Sequence, residues 1–189
     1  MTVTPDALAE LAALIRSRRT SMLADKARPV PRDLVEQLCE LAQWAPNHKR
    51  TWPWRFALAE GDGRARLGEV IATAMEARGD EPEKVAKART KYLRTPAVLI
   101  VGSAEGDSEL RTAENRDAVA AGVQNALLGA TAAGLAGYWG SCPKGANDVV
   151  AELCGFDAGT FVAAIIYLGW ATETVAAPER PPVVLRLVD

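Results

Sequence analysis

Three short stretches carry side chains whose types and spacing could do chemistry. Arg16-Ser17-Arg18-Arg19-Thr20 offers forked guanidinium donors and a hydroxyl, the donor set that a dianionic phosphate requires. A solvated helix end is the plainer reading, because cations near a helix C-terminus are ordinary. Ala45-Pro46-Asn47-His48-Lys49-Arg50-Thr51-Trp52-Pro53-Trp54 sets polar donors between two prolines, with Trp44 just before them. Prolines fix the shape of a loop, and tryptophans beside donors suit a flat heteroaromatic ligand. A wedge of buried aromatics with a basic rim would read the same way. Gly137-Tyr138-Trp139-Gly140-Ser141 adds an aromatic flanked by glycines that permit close backbone approach. The plainer reading there is a strand end with a packed Trp.

Other reactive groups are sparse. His48 is the only histidine, and the cysteines are Cys39, Cys142 and Cys154. A zinc site would need all of these scattered residues together. A lone histidine leaves little room for a Ser-His-Asp or Cys-His scheme. Gly140-Ser141-Cys142-Pro143 puts proline where a nucleophile elbow has its second glycine. Cys142 reads as a reactive thiol or, more plainly, as a buried inert one. Gly61-Asp62-Gly63 follows a strand pattern and opens a helix, but Arg66 stands where a dinucleotide-binding turn has its third glycine.

One domain of ordinary composition must position these residues. The chain has 189 residues, 49% hydrophobic and 24% charged, with a net charge of −2. That composition excludes disordered, collagen-like and coiled-coil classes. The charge argues against nucleic acid as the main partner. No apolar run approaches the ~20 residues of a bilayer span, and no leader pattern opens the chain. An odd number of widely spaced cysteines fits a reducing compartment, so a cytoplasmic location is expected.

Periodicity predicts the elements. Thr4 reads as an N-cap, with Pro5 first in a helix that carries Leu8, Leu11, Leu14 and Ile15 to about Ser17. Leu34, Val35, Leu38, Leu41 and Ala42 mark a second helix, ended by Pro46. Trp54–Leu58 alternates like a strand, and a helix with Leu67, Val70, Ile71 and Met75 follows. A charged helix runs from about Glu81 to Tyr92. Ala97–Val101 and Phe161–Leu168 are continuous apolar runs, hence buried strands. Between them lies the longest helix, about Ser108 to Ala133, with Gly134 suited to its C-terminal cap. Ala118, Gly122, Ala126, Gly129 and Ala133 give it a smooth face that suits packing against a second subunit. Gly137–Gly140 is a short strand, and Asn147 caps a helix through Leu153. Pro178, Pro181 and Pro182 extend the tail, and Val183–Val188 closes as a strand. About five strands with flanking helices make a two-layer or three-layer α+β domain.

Arg18-Arg19-Thr20, Ala45-Pro46-Asn47-His48-Lys49 leading to Pro53-Trp54, the small-residue helix ending at Gly134 before Gly137-Tyr138-Trp139-Gly140-Ser141, and Tyr167-Leu168-Gly169 occur in one order. In that order they resemble the nitroreductase family, in particular its short branch of NAD(P)H nitroreductases, from about residue 8 to 175. The resemblance implies a homodimeric three-layer α+β fold, with a central, mostly antiparallel sheet flanked by helices. It implies a single FMN-binding domain over residues 1–189, with 178–189 as an extended tail. It also implies FMN at each of two intersubunit sites and NADH or NADPH as electron donor. The acceptor would be a small nitroaromatic or quinone-like molecule, reduced by a ping-pong mechanism, with no nucleic-acid or membrane partner.

By position, Arg18, Arg19 and Thr20 would hold the phosphate and ribityl end, and Trp139, Gly140 and Ser141 would line the ring. Trp44 and His48 match positions that reach the flavin of the other subunit, and Gly129–Gly134 matches a nicotinamide-cofactor region. Trp44 stands where relatives carry a basic side chain, which implies a stacking role. Longer members place a basic residue from near the C-terminus on the phosphate, where this chain has Arg180 and Arg186. His48, Lys49 or Asn47 would offset charge at the ring's N1 edge. Because flavin carries the hydride chemistry, no catalytic acid–base pair is expected. Two other readings suit the same residues. One is a relative with another flavin reaction, such as dehalogenation or flavin fragmentation; the other is a flavin-binding protein without NAD(P)H turnover.

Overall fold

Ala97–Ser103 is buried at every position because helices cover both faces of the strand it forms. The computed structural model describes residues 5–188, so the cap expected at Thr4 lies outside the described residues. The elements are α1 (Pro5–Ser17), α2 (Arg32–Gln43), β1 (Trp54–Glu60), α3 (Gly63–Ala77), α4 (Pro82–Lys91), β2 (Ala97–Ser103), α5 (Glu109–Ala132), β3 (Leu135–Gly140), α6 (Asn147–Leu153) and β4 (Phe161–Trp170). The strands form one sheet in the order β1-β2-β4-β3, antiparallel throughout.

Side chains alternate across this sheet. Leu99, Val101, Ile166 and Leu168 meet α2 and α5 in one core. Val98, Ile100, Ile165 and Tyr167 meet α3, α4 and α6 in the other. The expected three layers are therefore present, and the parity changes once. Between Val101 and Gly102 the register with β4 slips, leaving Ala163 as an extra residue. This β-bulge lets Val162 join the same core as Ile165, three positions away.

The longest helix serves α2 rather than a second subunit. A Cβ at Gly122 would lie 2.5 Å from the Ala42 carbonyl, and one at Gly129 would lie 2.7 Å from Leu41. Ala118 and Ala126 are buried in the same core. The small residues expected to form an intersubunit face instead bring two helices of one chain close together. Asn147 begins α6 rather than preceding it; it bonds the Thr160 carbonyl and receives the Val162 N–H, which pins the helix to β4.

The tail departs from expectation. Val183–Val188 is not a strand, and its side chains stand in solvent, Val183 at 94% exposure. A strand needs a partner ladder, and this segment meets none among the described residues. The sheet accordingly has four strands instead of about five. Its β1 edge is unpaired along its outer side. Among the described residues, no helix is long and apolar enough to cross a membrane.

The close approach of α2 and α5 is testable. Ala usually stabilises a helix relative to Gly by about 1 kcal/mol. Gly122→Ala should instead destabilise the protein by about 1–3 kcal/mol, because backbone on α2 has to give way. Urea denaturation showing equal or higher stability would mean that the interhelical spacing is slack.

Candidate functional site

The arginine stretch leaves α1 and runs onto the sheet. Thr20 bridges Gly137 in parallel, and the Ser21 N–H donates to the Gly137 carbonyl at 3.0 Å. This lays Arg18-Arg19-Thr20 beside β3, whose far end is Trp139-Gly140-Ser141. Three residues of strand separate Gly137 from Gly140, about 10 Å. Of the eight expected site residues, Trp139 and Gly140 lie on β3, Ser141 follows it and Thr20 is bridged to it.

Within this group the roles differ. The Arg18 guanidinium, half-buried, has no hydrogen-bond or ion-pair partner among the described residues. Arg19 is committed to the main chain: Nε donates to the Val175 carbonyl, and Nη1 donates to the Arg16 and Arg18 carbonyls. It ties the end of α1 to the chain beyond β4. Trp139 donates from Nε1 to the carbonyl of the bulged Ala163 at 3.2 Å, which fixes the indole while leaving it 39% exposed. Gly140 is half-buried and Ser141 exposed.

Trp44 and His48 lie elsewhere. Trp44 ends α2 and is 80% exposed, a large apolar surface in water. His48 sits in a loop where Lys49, Arg50 and Trp52 all have positive φ, at 62°, 54° and 50°. Left-handed backbone costs a residue with a Cβ roughly 1–2 kcal/mol, so this shape needs external support. Asn47 accepts the Trp52 N–H and donates to the Thr51 hydroxyl. That hydroxyl donates to buried Asn115 on α5 at 2.6 Å, and Asn115 donates to the Ala104 carbonyl. One residue earlier on α5, Glu114 meets His48 Nδ1 at 2.8 Å and also pairs with Arg111. The His48 hydrogen bond, with help from Arg111, holds the Glu114 carboxyl below the usual carboxylate range.

The two groups lie at opposite ends of α5. Arg19 and Thr131 line one cleft of about 170 Å³, which Glu173 also lines. Glu114 and Thr131 are separated by about 26 Å of helix. The structure therefore sets Thr20 beside β3, with Trp139, Gly140 and Ser141 about 10 Å further along the chain from that pairing. It does not bring them together with His48.

Sequence reasoning missed Glu114, Arg111 and Asn115. Arg111 and Glu114 look like an ordinary ion pair three residues apart on a helix. Nothing in the spacing signals that a loop more than 60 residues earlier closes onto them. One further groove was equally illegible. It is an open groove of about 1020 Å³ between α2 and β1, lined by Val35, Cys39, Phe56, Leu58 and Glu60, and no expected site residue lines it.

The Nitroreductase family model matches residues 15–170 of this chain. The chain belongs to the nitroreductase family. YdjA of Escherichia coli K12, provisionally named an NAD(P)H nitroreductase, is 28% identical over 180 residues, which is 92% of this chain and 97% of YdjA. A nitroreductase-like family protein from Bacillus cereus has the same fold, with a TM-score of 0.78, 28% identity and coverage of 96% of this chain and 94% of that one. A nitroreductase from Bacteroides fragilis, solved with bound FMN, shares the fold at a TM-score of 0.73 and 20% identity, covering 95% of this chain and 99% of its own.

Among the described residues, no group of three or more His, Cys, Asp or Glu could hold a metal ion. Burial pushes the thiols of Cys39, Cys142 and Cys154 up to about 11. A raised thiol disfavours the thiolate that a nucleophilic Cys142 would need. An ordinary thiol titrates near 8.5, so thiolate at pH 8 should be scarcer here by roughly two orders of magnitude. Native protein should react with a disulfide reagent about 100-fold more slowly than urea-unfolded protein does. Fast native labelling of Cys142 would reverse this reading.

Proposed function

We propose that this chain is an FMN-dependent oxidoreductase that takes hydride from NADH or NADPH and delivers it to nitroaromatic or quinone-like acceptors by a ping-pong mechanism. The observation that carries the reading is the pairing of Thr20 with Gly137. It sets an unpaired arginine and a hydroxyl beside the start of a strand whose end presents a fixed, part-exposed indole. A phosphate needs the first and a flat ring needs the second. The family assignment supports the same reading. Arg18 and Thr20 would hold the phosphate and ribityl end, with Arg19 shaping the turn between them and keeping its remaining Nη2 donors for the ligand. Trp139, Gly140 and Ser141 would line the ring. Bound FMN supplies hydride acceptance and onward transfer, which is why no acid–base pair is required of the protein.

We infer that the working form is a homodimer. His48 and Arg18 cannot reach one ligand from the same chain across the length of α5, but two chains in opposite orientation bring them together. Leu8, Leu11 and Ile15 on α1, with Leu41 and Trp44 on α2, leave a large apolar surface for a partner to cover. The unpaired β1 edge and the exposed Val183–Val188 segment are complementary, since an edge strand with grooves on both faces suits an added strand.

Purified protein mixed with excess FMN should take up a flavin spectrum and then oxidise NADH or NADPH faster when a nitroaromatic acceptor is present. Absence of a bound-flavin spectrum would end the reading. Arg18→Ala should weaken FMN by about 1.5–3 kcal/mol, the scale of a charge-assisted hydrogen bond. The loss should be smaller for riboflavin, which lacks the phosphate. Equal losses would show that Arg18 acts through folding.

The shared site has its own test. Arg18→Ala and His48→Ala chains, mixed so that dimers reshuffle, should regain high-affinity FMN sites in the heterodimers, because one site then carries both lesions and the other neither. Heterodimers without recovered sites would place both residues in the same site of one chain.

A further inference from the structure

His48 is held from one side only. Its Nδ1 lies 2.8 Å from Glu114 Oε1 and 3.2 Å from Arg111 Nη1. Nδ1 cannot both donate to Glu114 and accept from Arg111, and the distances decide between the two roles. The carboxylate can only accept, so a 2.8 Å contact requires hydrogen on Nδ1. Arg111 Nη1 makes its shorter bond to Glu114 Oε2, at 2.5 Å, and the 3.2 Å approach to Nδ1 is the weaker contact. Lys49 is the other charge felt by Glu114, and it adds to the preference for the ionised carboxylate. The ring's second nitrogen, Nε2, has no partner among the described residues, and the side chain is 58% exposed.

The surrounding loop is built for this one orientation. Three consecutive supports, Asn47, Thr51 and Asn115, hold backbone that is strained at Lys49, Arg50 and Trp52. Asn115 and Glu114 are neighbours on α5, so the residue that pins the loop and the residue that pins the imidazole share one rigid element.

We propose that Glu114 is a positioning residue that fixes His48 as its Nδ1–H tautomer, leaving Nε2 as a hydrogen-bond acceptor for a donor group on the ligand, a hydroxyl or a ring N–H. The ligand half rests on the reading of His48 as a flavin contact given above. It assigns His48 to the ribityl hydroxyls or the N3–H edge and away from phosphate and carbonyl oxygens, which a bare nitrogen repels. His48 then selects orientation by accepting rather than by stabilising negative charge. The tautomer follows from the second-partner rule for imidazole: the hydrogen bond at one nitrogen sets what the other can do.

Because His48 is the only histidine, full-length protein labelled with 15N in its imidazole gives the signals of a single ring. Long-range 1H–15N correlation at about pH 8, above the usual imidazole range, reads the tautomer directly. Wild-type protein should show a protonated Nδ1 and a bare Nε2. Glu114→Ala should revert to the Nε2–H form that free imidazole prefers. Glu114→Gln, whose amide oxygen still accepts, should keep Nδ1–H. FMN should shift the Nε2 signal of the wild type, bind about fivefold more weakly to Glu114→Ala, and bind Glu114→Gln within about twofold of wild type.

An Nε2–H tautomer in the wild type overturns the proposal, and needs no variant to fold. So does a tautomer unchanged in folded Glu114→Ala. Flavin bound by absorbance with an unmoved Nε2 signal overturns the ligand half alone. Protein that binds no flavin overturns the function proposed above and the ligand half with it, while the tautomer still decides the role of Glu114.

Discussion

The backbone-to-backbone approach of α2 and α5 is the constraint on which the rest of the molecule depends. Gly122 and Gly129 remove the side chains that would hold these helices apart. The two can then cover one face of the sheet together, packing Leu38, Val119, Val123 and Leu127 against Leu99 and Ile166. With α5 so placed, its first turns support the His48 loop and its last turns flank the chain around Arg19. A wider interhelical distance would disturb both ends, since α5 borders both groups.

What local pattern could show, and what it could not, divides by sequence separation. Ala97–Val101 reads as a buried strand because a continuous apolar run needs cover on both faces. Gly134 reads as a helix end because its φ of +80° suits glycine. Arg18, Thr20 and Trp139 were recognisable as donor and aromatic types, but their alignment depends on a bridge between Thr20 and Gly137, which no spacing encodes. The small residues of α5 were visible as a smooth face. Which helix that face meets depends on the fold, and the partner is α2. Val183–Val188 alternates like a strand, yet a strand exists only in company, and the described residues provide none. Glu114 was hidden among ordinary helix-surface charges.

The site is divided in a way that suits chemistry carried by a bound group. Arg18 to Ser21 and Trp139 to Ser141 rest on the sheet, whose bulged strand fixes Trp139 through the freed Ala163 carbonyl. His48 rides on a loop at the first turns of α5, and Trp44 stands at the end of α2. A rigid half can hold a cofactor while a loop-borne half sets its surroundings.

The left-handed residues after His48 also say something about selection. Glycine would adopt the backbone of Lys49, Arg50 and Trp52 without steric penalty. A chain selected for stability alone would drift toward glycine there, and this one keeps three large side chains. Glycine at these positions would relieve about 1–2 kcal/mol of left-handed cost each and would take the Lys49, Arg50 and Trp52 side chains with it.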